Sequence, residues 1–254
     1  MAAVLDGTGR PVVLALDPKD NLWAALDGRW IRVTDRPVHG PPAVARAGDG
    51  VVVCVSLGPE QMLVHELGPG EAEFREQVVR DGYRPATAIE DQIAVPDGSL
   101  AVLYREGERL SVLRSDGAGA ESVTAIVRPR AAVLGVSGSG GLEVLAVDGD
   151  TGFLVATEQS PGGWTPPVPV SCPVPVDDLS VLDHREGRTI AVAGSQGVWV
   201  MTTGGPWTPL DDARPAERVV LRPTRGWRMQ LAALVGGRVA CWAEDHAKRW
   251  VPQD

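Results

Sequence analysis

The sequence predicts an all-β protein, a six-bladed β-propeller with four antiparallel strands in each blade. Helical periodicity is almost absent, because Gly, Pro or Asp-Gly pairs interrupt short apolar runs rich in Val, Leu and Ala. A tryptophan recurs at a regular interval, at Trp164, Trp207 and Trp250, which are 43 residues apart. Repeats of about 40 to 50 residues are typical of propeller blades, so these observations favour that fold.

Six copies of a short apolar segment support the same repeat. They align without gaps as AVLD at 3–6, AVAR at 43–46, AIED at 88–91, AVLG at 132–135, SVLD at 180–183 and VVLR at 219–222. Each copy leads through a glycine-containing turn to a second apolar strand, a third strand follows a polar turn, and the recurring aromatic marks the fourth. The repeat predicts one domain with blades at residues 1–40, 41–85, 86–130, 131–176, 177–214 and 215–254.

A four-stranded sheet with two apolar faces is stable only when both faces are covered, and neighbouring blades provide that cover in a propeller. We therefore expect the tryptophans of the repeat to lie in the core between blades. These residues are Trp30, Trp164, Trp207 and Trp250. The alternative architectures are a β-sandwich and a pair of smaller β-domains.

Composition and charge narrow the possible functions. The 254 residues are 44% apolar and 22% charged, which is typical of a globular protein. No apolar run is long enough to span a membrane, and the N-terminal sequence has no secretory signal, so we expect a cytoplasmic protein without a membrane partner. The net charge of −9 would repel a phosphate backbone, so we expect no nucleic-acid partner.

The sequence also predicts no metal site and no cofactor. Cys54, Cys172 and Cys241 lie far apart, without the spacing typical of a zinc site or a disulfide framework. Phosphate-loop, dinucleotide-binding and nucleophile-elbow motifs are missing. Residues 148–152, DGDTG, match part of a calcium loop, but the later acidic ligands are missing and a β-turn explains the segment better.

Charged residues end the apolar segments at a position that should line the axial channel. The last residues of the six copies are Asp6, Arg46, Asp91, Gly135, Asp183 and Arg222. Carboxylates beside guanidinium groups can serve as acid, base and electrostatic clamp for a polar ligand. If the protein is an enzyme, the candidate catalytic residues are Asp183, His184, Asp91 and Asp6. The candidate ligand-binding residues at the same mouth are Arg46, Glu90 and Arg222. Alternatively, Asp6 pairs with Arg46 and Asp183 with Arg222 in a purely structural ladder.

Three tryptophans, Trp23, Trp199 and Trp227, are further candidate ligand-binding residues. The C–H-rich side of a sugar fits an aromatic ring, while the sugar hydroxyls reach polar neighbours. Trp227 has no aromatic counterpart in the other copies and follows the turn beside Arg222. The alternative for such strand tryptophans, Trp242 included, is burial between blades.

The segment 142–170, LEVLAVDGDTGFLVATEQSPGGWTPPVPV, resembles one blade of the bacterial and fungal lectin propellers of the tectonin and fucose-lectin type. NLWAALDGRW at 21–30 and GVWVMTTGGPW at 197–207 have the same pattern, an aromatic-bearing strand followed by a glycine-containing turn and a tryptophan. The resemblance implies a propeller that binds carbohydrate between blades. The positions corresponding to Trp23 hold Leu63, Ser111, Leu154, Trp199 and Ala240. Because the copies differ in this way, we expect one dominant site rather than six equal ones.

These observations support three functional hypotheses. The first is a lectin-like propeller that binds a glycan or another small molecule at one dominant site, at the axial mouth or near Trp227. The second is a metal-free lyase, cyclase, isomerase or hydrolase that acts on a small metabolite in an axial pocket. The third is a protein-interaction platform, a common use of propellers.

Overall fold

The computed structural model describes residues 2–6, 8–38, 42–47, 49–56, 62–78, 88–95, 100–114, 119–184, 187–211, 214–223 and 228–253. Over these ranges the chain forms strands joined by turns, and no helix is long and apolar enough to cross a membrane. The strands form six small antiparallel sheets, which confirms the predicted all-β, six-bladed propeller. The chain divides into two compact units, Met1–Thr124 and Ala125–Asp254.

The sheets that begin in the first unit each follow the order of the sequence. The first sheet contains β1 (Ala2–Leu5), β2 (Pro11–Leu16), β3 (Leu22–Leu26) and β4 (Arg29–Arg32). The second contains β5 (Ala43–Ala47), β6 (Gly50–Ser56), β7 (Met62–Leu67) and β8 (Arg75–Val78). The third contains β9 (Ala88–Ala94), β10 (Leu100–Glu106), β11 (Arg109–Arg114) and β12 (Gly119–Val127).

The second unit holds the remaining three sheets. The fourth contains β13 (Ala132–Val136), β14 (Leu142–Val147), β15 (Leu154–Ser160), β16 (Gly163–Trp164) and β17 (Val168–Pro169). The fifth contains β18 (Asp178–His184), β19 (Gly187–Gly194), β20 (Gly197–Thr202) and β21 (Thr208–Asp211). The sixth contains β22 (Ala216–Pro223), β23 (Met229–Val235), β24 (Arg238–Glu244) and β25 (Trp250–Gln253).

The fourth sheet has five strands where the sequence predicts four. β15 pairs with β16 through Gln159 and Trp164, and elsewhere along its length it pairs with β17 through Ala156 and Val168. The residues between the two short strands are Thr165, Pro166 and Pro167. A proline has no backbone N–H to donate to a ladder, so the outer strand of this sheet is split into two pieces.

Apolar side chains fill the space between neighbouring sheets within each unit. In the first unit, Val12, Leu14 and Leu22 of the first sheet pack against Val53 and Leu63 of the second. The cluster between the fifth and sixth sheets includes Ala191, Val198, Val200, Leu231 and Trp242. Buried residues alternate with more exposed ones along β3 and β23. A shift of one residue in strand pairing would turn the buried apolar side chains to the other face of the sheet, so this pattern fixes the register.

The prediction that the tryptophans of the repeat are core residues is wrong for Trp30, which is 55% exposed. Trp30 lies on β4, the outer strand of its sheet, where most residues are exposed. An edge strand has a neighbour on one side only, so its side chains receive less cover. Trp164, Trp207 and Trp250 are half-buried, and the last two pack against the core clusters.

Three hairpin turns share one arrangement built on an aspartate. Asp6, Asp17 and Asp245 each accept, through Oδ1, the backbone N–H groups of the second and fourth following residues at 2.8–3.0 Å. The third following residue has a left-handed backbone in each case, and these residues are Gly9, Asp20 and Lys248. Because an aspartate can bond to its own backbone in this way, it favours a turn over continued strand. One side chain therefore fixes each of these hairpins.

Side chains of the fifth sheet also accept hydrogen bonds from backbone N–H groups at the free edge of the sixth sheet. β22 pairs with β23 along one edge, which leaves backbone N–H groups directed away from the ladder along the other. The Val219 N–H donates to Asp178 Oδ2 at 2.9 Å, and the Leu221 N–H donates to Ser180 Oγ at 3.0 Å. Since buried N–H groups need acceptors, these two bonds stabilise the contact between adjacent sheets.

Replacing Ser180 by alanine tests this edge contact. The change leaves the Leu221 N–H without its acceptor, so we expect the free energy of unfolding to fall by about 1–2 kcal/mol. Denaturation in urea measures the change. Ser195→Ala, in the exposed turn between β19 and β20, is the matched control and should leave stability within about 0.5 kcal/mol of the parent. Equal stabilities of the two variants would contradict the assignment.

Candidate functional site

The six apolar segments contribute to the first strand of each sheet, as the repeat predicts. Within the first unit β5 contacts both β1 and β9, and within the second unit β18 contacts both β13 and β22. The charged residues at the ends of these segments therefore lie on neighbouring first strands. The hydrogen-bond and ion-pair partners of these charged residues indicate the role of each one.

Asp6 closes its own turn, and the predicted pair with Arg46 lies outside the described side chains. Its carboxylate accepts the Thr8 N–H, the Thr8 hydroxyl and the Arg10 N–H, and Arg10 Nε donates to the other oxygen at 2.9 Å. Burial raises the pKa of Asp6, but these hydrogen bonds outweigh it and hold the pKa below its ordinary value. Arg10 also donates at 3.1 Å to the carbonyl of Glu71, in the connection between β7 and β8 of the second sheet. Asp6 thus acts as an anchor for Arg10.

Asp183 pairs with Arg188 of the adjacent strand, and the predicted structural pair of Asp183 with Arg222 does not form. Arg188 Nε donates to Asp183 Oδ1 at 2.7 Å, and the same guanidinium bonds to Glu143 and to the Val136 carbonyl of the fourth sheet. Burial lowers the pKa of Arg188, but the bonds to Asp183 and Glu143 outweigh it and raise the pKa. Arg222 Nε donates to Gln230 Oε1 at 2.9 Å instead.

The guanidinium of Arg188 fills the place of a missing side chain. Gly135 is the residue of the predicted ring that carries no side chain, and a Cβ atom built there would lie 2.7 Å from Arg188 Nη2. A larger residue at this position would therefore displace the Arg188 guanidinium from its partners. Arg188 holds the end of β13 against the start of β19.

The other predicted ring residues have local partners or lie outside the description. Glu90 accepts Arg105 Nε at 2.7 Å, and Asp91 Oδ1 accepts the Gln92 N–H at 2.8 Å. Arg46 and His184 lie on β5 and β18, but their side chains are outside the described residues, as is Trp227 entirely. The catalytic and ligand-binding roles assigned to this set remain predictions.

The described contacts make these charges a set of local pairs. Each pair joins a residue on or just beyond a first strand to one at or near the second strand of the same sheet, as in Asp6–Arg10, Glu90–Arg105 and Asp183–Arg188. Among the residues that the structure describes, no group of three or more His, Cys, Asp or Glu side chains could hold a metal ion. Neutralised pairs of this kind favour a structural role.

An exposed aromatic surface lies on the first sheet. Trp23 stands opposite Arg32 in the β3–β4 ladder, and Ala25 stands opposite Trp30. Residues that face each other across strands, and residues two apart along a strand, point to the same side of a sheet. Trp23, Trp30 and Arg32 therefore share one face, which we call the tryptophan–arginine platform.

A chain of hydrogen bonds holds this platform in place. Trp23 Nε1 donates to Asp17 Oδ2 at 3.1 Å, and Asn21 Nδ2 donates to the same oxygen at 2.8 Å. The Asn21 side-chain oxygen in turn accepts Arg32 Nη2. Hydrogen bonds from Asn21 hold the pKa of Asp17 far below its ordinary value. Partial desolvation opposes this effect, and the bond from Trp23 adds to it. An ionised Asp17 thus orients both Trp23 and Arg32.

Sequence reasoning identified Trp23 but missed Trp30 and Arg32. The sequence did contain a signal, because the Asp27–Gly28 pair favours a two-residue hairpin turn. The structure shows that turn between β3 and β4, with positive φ at both residues. Counting outward from such a turn places Trp30 opposite Ala25 and Arg32 opposite Trp23. The expectation that Trp30 belongs to the core concealed this pairing.

Trp199 lies in a different environment. It is half-buried and packs with Met201 and Trp207 against the core between the fourth and fifth sheets. Its Nε1 donates to the Gln196 carbonyl at 3.1 Å, and Trp207 Nε1 donates to the Ser171 carbonyl at 2.6 Å. Both indoles are therefore held by backbone oxygens and stabilise the contact between two sheets.

Comparison with known proteins gives similar structures but no similar sequence family. No family model and no curated protein matches the chain. The SapL1 lectin in complex with α-methyl fucoside is 14% identical with a TM-score of 0.65, over 100% of this chain and 94% of that one. A lectin of Aleuria aurantia in complex with Fucα1-6GlcNAc is 12% identical with a TM-score of 0.62, over 99% of this chain and 93% of that one.

An enzyme has a similar structure as well. A catalytically inactive virginiamycin B lyase from Staphylococcus aureus, in complex with quinupristin, is 12% identical with a TM-score of 0.59, over 98% of this chain and 82% of that one. At these identities the likeness shows the fold alone. The chain therefore has a propeller fold that is also found in fucose-binding lectins and in a lyase.

Gly135→Ala tests the place assigned to Arg188. The added methyl group would displace the guanidinium from its charged and backbone partners, so we expect the free energy of unfolding to fall by about 1–3 kcal/mol. Gly138→Ala is the matched control, because a Cβ atom there meets nothing within 4 Å. In an Arg188→Ala background the Gly135→Ala change should cost much less, and a fully additive double-mutant cycle would contradict the account.

Proposed function

We propose that the protein is a carbohydrate-binding propeller whose dominant site is the tryptophan–arginine platform of the first sheet. The exposed ring of Trp30 supports this proposal most directly, because an aromatic face can stack on the C–H-rich side of a sugar. A large exposed aromatic residue beside another aromatic residue marks a binding surface more often than a scattered leucine does. The platform also offers polar groups beside the ring, as sugar recognition requires.

Polar groups at the platform can reach the hydroxyls of a stacked sugar. The Arg32 side chain is 39% exposed, and its guanidinium carries five N–H donors. Its bonds to Asn21 and to the Asp35 carbonyl fix its direction. An arginine that is held before the ligand arrives loses little entropy on binding, which favours affinity.

The proposal of one dominant site rests on differences between the sheets. Leu63, Ser111 and Leu154 correspond to Trp23 in the second, third and fourth sheets, and all three are buried. Trp199 in the fifth sheet packs against the core, and Ala240 in the sixth has only a methyl group. The same position therefore gives an aromatic surface of this kind in the first sheet and not in the others.

The fold likeness to lectins bound to fucosides supports the ligand class and suggests the first probe. A panel of methyl glycosides that includes α-methyl fucoside can be titrated into the protein by calorimetry. We expect at least one monosaccharide to bind, and we expect Trp30→Ala to weaken its affinity roughly tenfold, equivalent to about 1.4 kcal/mol. Loss of an aromatic stacking partner has an effect of this order.

Phe153→Ala is the matched control, since Phe153 is 54% exposed and lies in the second unit. It should leave the affinity unchanged. Failure of every sugar in the panel to bind would contradict the proposed function. Binding that survives Trp30→Ala would instead contradict the proposed site while leaving the function in place.

A metal-free enzyme is the second candidate, and the carboxylates around Arg188 support it. Glu143 stands directly opposite Glu158 in the β14–β15 ladder, and Arg188 joins Glu143 to the partly exposed Asp183. Carboxylates beside a guanidinium can transfer protons and hold a polar substrate. Turnover of a small polar metabolite that Asp183→Asn abolishes, with sugar binding unchanged, would favour this candidate.

A further inference from the structure

A histidine is buried without hydrogen-bond partners at the contact between the first two sheets. His65 lies on β7 and is 1% exposed. Both of its ring nitrogens are buried and have no hydrogen-bond partner among the residues that the structure describes. It stands opposite Val53 of β6, which belongs to the apolar cluster that joins the second sheet to the first. An imidazole in such surroundings is stable only when it is neutral.

Two charged groups face this imidazole. Glu76 of β8 stands directly opposite His65 in the ladder, and Arg36 lies on the segment that follows β4. Arg36 Nη2 and Glu76 Oε1 form an ion pair at 3.5 Å, which joins the two sheets. Burial lowers the pKa of His65, Glu76 raises it and Arg36 lowers it, with a lowered pKa as the result. The neighbouring side chains on the same face of the sheet are apolar, namely Val53 of β6 and, on β7 itself, Leu63 and Leu67.

Backbone hydrogen bonds join the segment that carries Arg36 to the first sheet. The Val33 N–H donates to the Leu22 carbonyl at 2.9 Å, and the Val38 N–H donates to the Asp20 carbonyl at 2.8 Å. Val33 and Val38 are both buried in the cluster between the sheets. These two backbone bonds therefore report directly whether residues 33–38 are in place.

We propose that this contact is an acid-sensitive latch, in which protonation of His65 draws Glu76 away from Arg36 and releases residues 33–38 from the first sheet. A proton from solvent binds one ring nitrogen, and the new imidazolium needs a carboxylate partner because it is buried. Glu76 is the carboxylate across the ladder, and a bond to the buried ring competes with its 3.5 Å pair with the half-exposed Arg36. Arg36 is then left beside a like charge, which favours its departure.

The direction of the pH effect follows from the neutral native state. An unfolded histidine titrates near pH 6.5, and the folded one titrates at a lower pH. Between these two values the released or unfolded chain binds more protons than the docked one. Docking is therefore fully stable above about pH 6.5 and weakens as the pH falls below it.

Hydrogen exchange of the Val33 and Val38 amides at pH 7.5 and 5.5 tests the latch in the full chain. We expect the protection factors of both amides to fall by up to roughly tenfold at the lower pH, since pH 5.5 lies about one unit below the ordinary pKa of a histidine. The Val176 N–H, which donates to the Gly152 carbonyl in the second unit, is the internal reference and should keep its protection. The measurement needs no carbohydrate, so its result is independent of the proposed function.

Variants separate the latch from general acid sensitivity. His65→Leu should abolish the pH dependence of both amides, whereas His246→Gln, at an exposed histidine, should retain it. If His65→Leu does not fold, the half-exposed Arg36 provides the test. Arg36 lowers the pKa of the docked imidazole, so Arg36→Gln should reduce the loss of protection at pH 5.5. Glu76→Gln removes the carboxylate that would hold the released imidazolium, so it should move the loss to lower pH. Unchanged protection at pH 5.5 in the parent, or the same loss in His65→Leu, would overturn the proposal.

Discussion

Each small sheet of this protein has a first strand whose outer edge must find hydrogen-bond partners beyond its own ladder. In the second unit the fifth sheet provides them, because Asp178 and Ser180 accept the edge N–H groups of β22. In the first unit a side chain of the third sheet also bonds to the second, since Gln92 Nε2 donates at 2.6 Å to the Val52 carbonyl of β6, a strand paired on both sides. Side chains thus complete the backbone bonding that a sheet of four strands leaves open.

The same constraint explains why arginines occur where the sheets meet. Arg10 extends from the first sheet to a carbonyl of the second, and Arg188 extends from the fifth sheet to a carbonyl of the fourth. Each is held by a carboxylate of its own sheet, Asp6 or Asp183. A guanidinium can bond to a carboxylate and a carbonyl at once, which makes it suited to this position. These charged groups are engaged in stabilising the contacts between sheets, which limits their availability for ligand binding or catalysis.

The fold could be predicted from the sequence because the same residue types recur at the same positions of each repeat. The apolar segments mark the first strands, and aspartate and glycine mark the turns. The fifth strand of the fourth sheet was not predicted, because the interruption by Pro166 and Pro167 changes hydrogen bonding without changing the apolar pattern. Trp30 was assigned to the core because recurrence alone does not show whether an outer strand is covered.

The candidate site was harder to predict, since it depends on which residues meet across a ladder. Comparing equivalent positions grouped Asp183 with Arg222, whereas the hairpin brings Asp183 to Arg188. Trp30 and Arg32 could have been found from the Asp27–Gly28 turn, which fixes the β3–β4 register. The bonds from Asp17 to Asn21 and Trp23 could not, because they require the positions of side chains.

A crystal structure of the protein with the tightest-binding monosaccharide of the panel tests the central claim most directly. The account predicts a sugar ring stacked on Trp30, with a hydroxyl within hydrogen-bond distance of Arg32. A sugar bound elsewhere, with Trp30 and Arg32 free of contact, would contradict it.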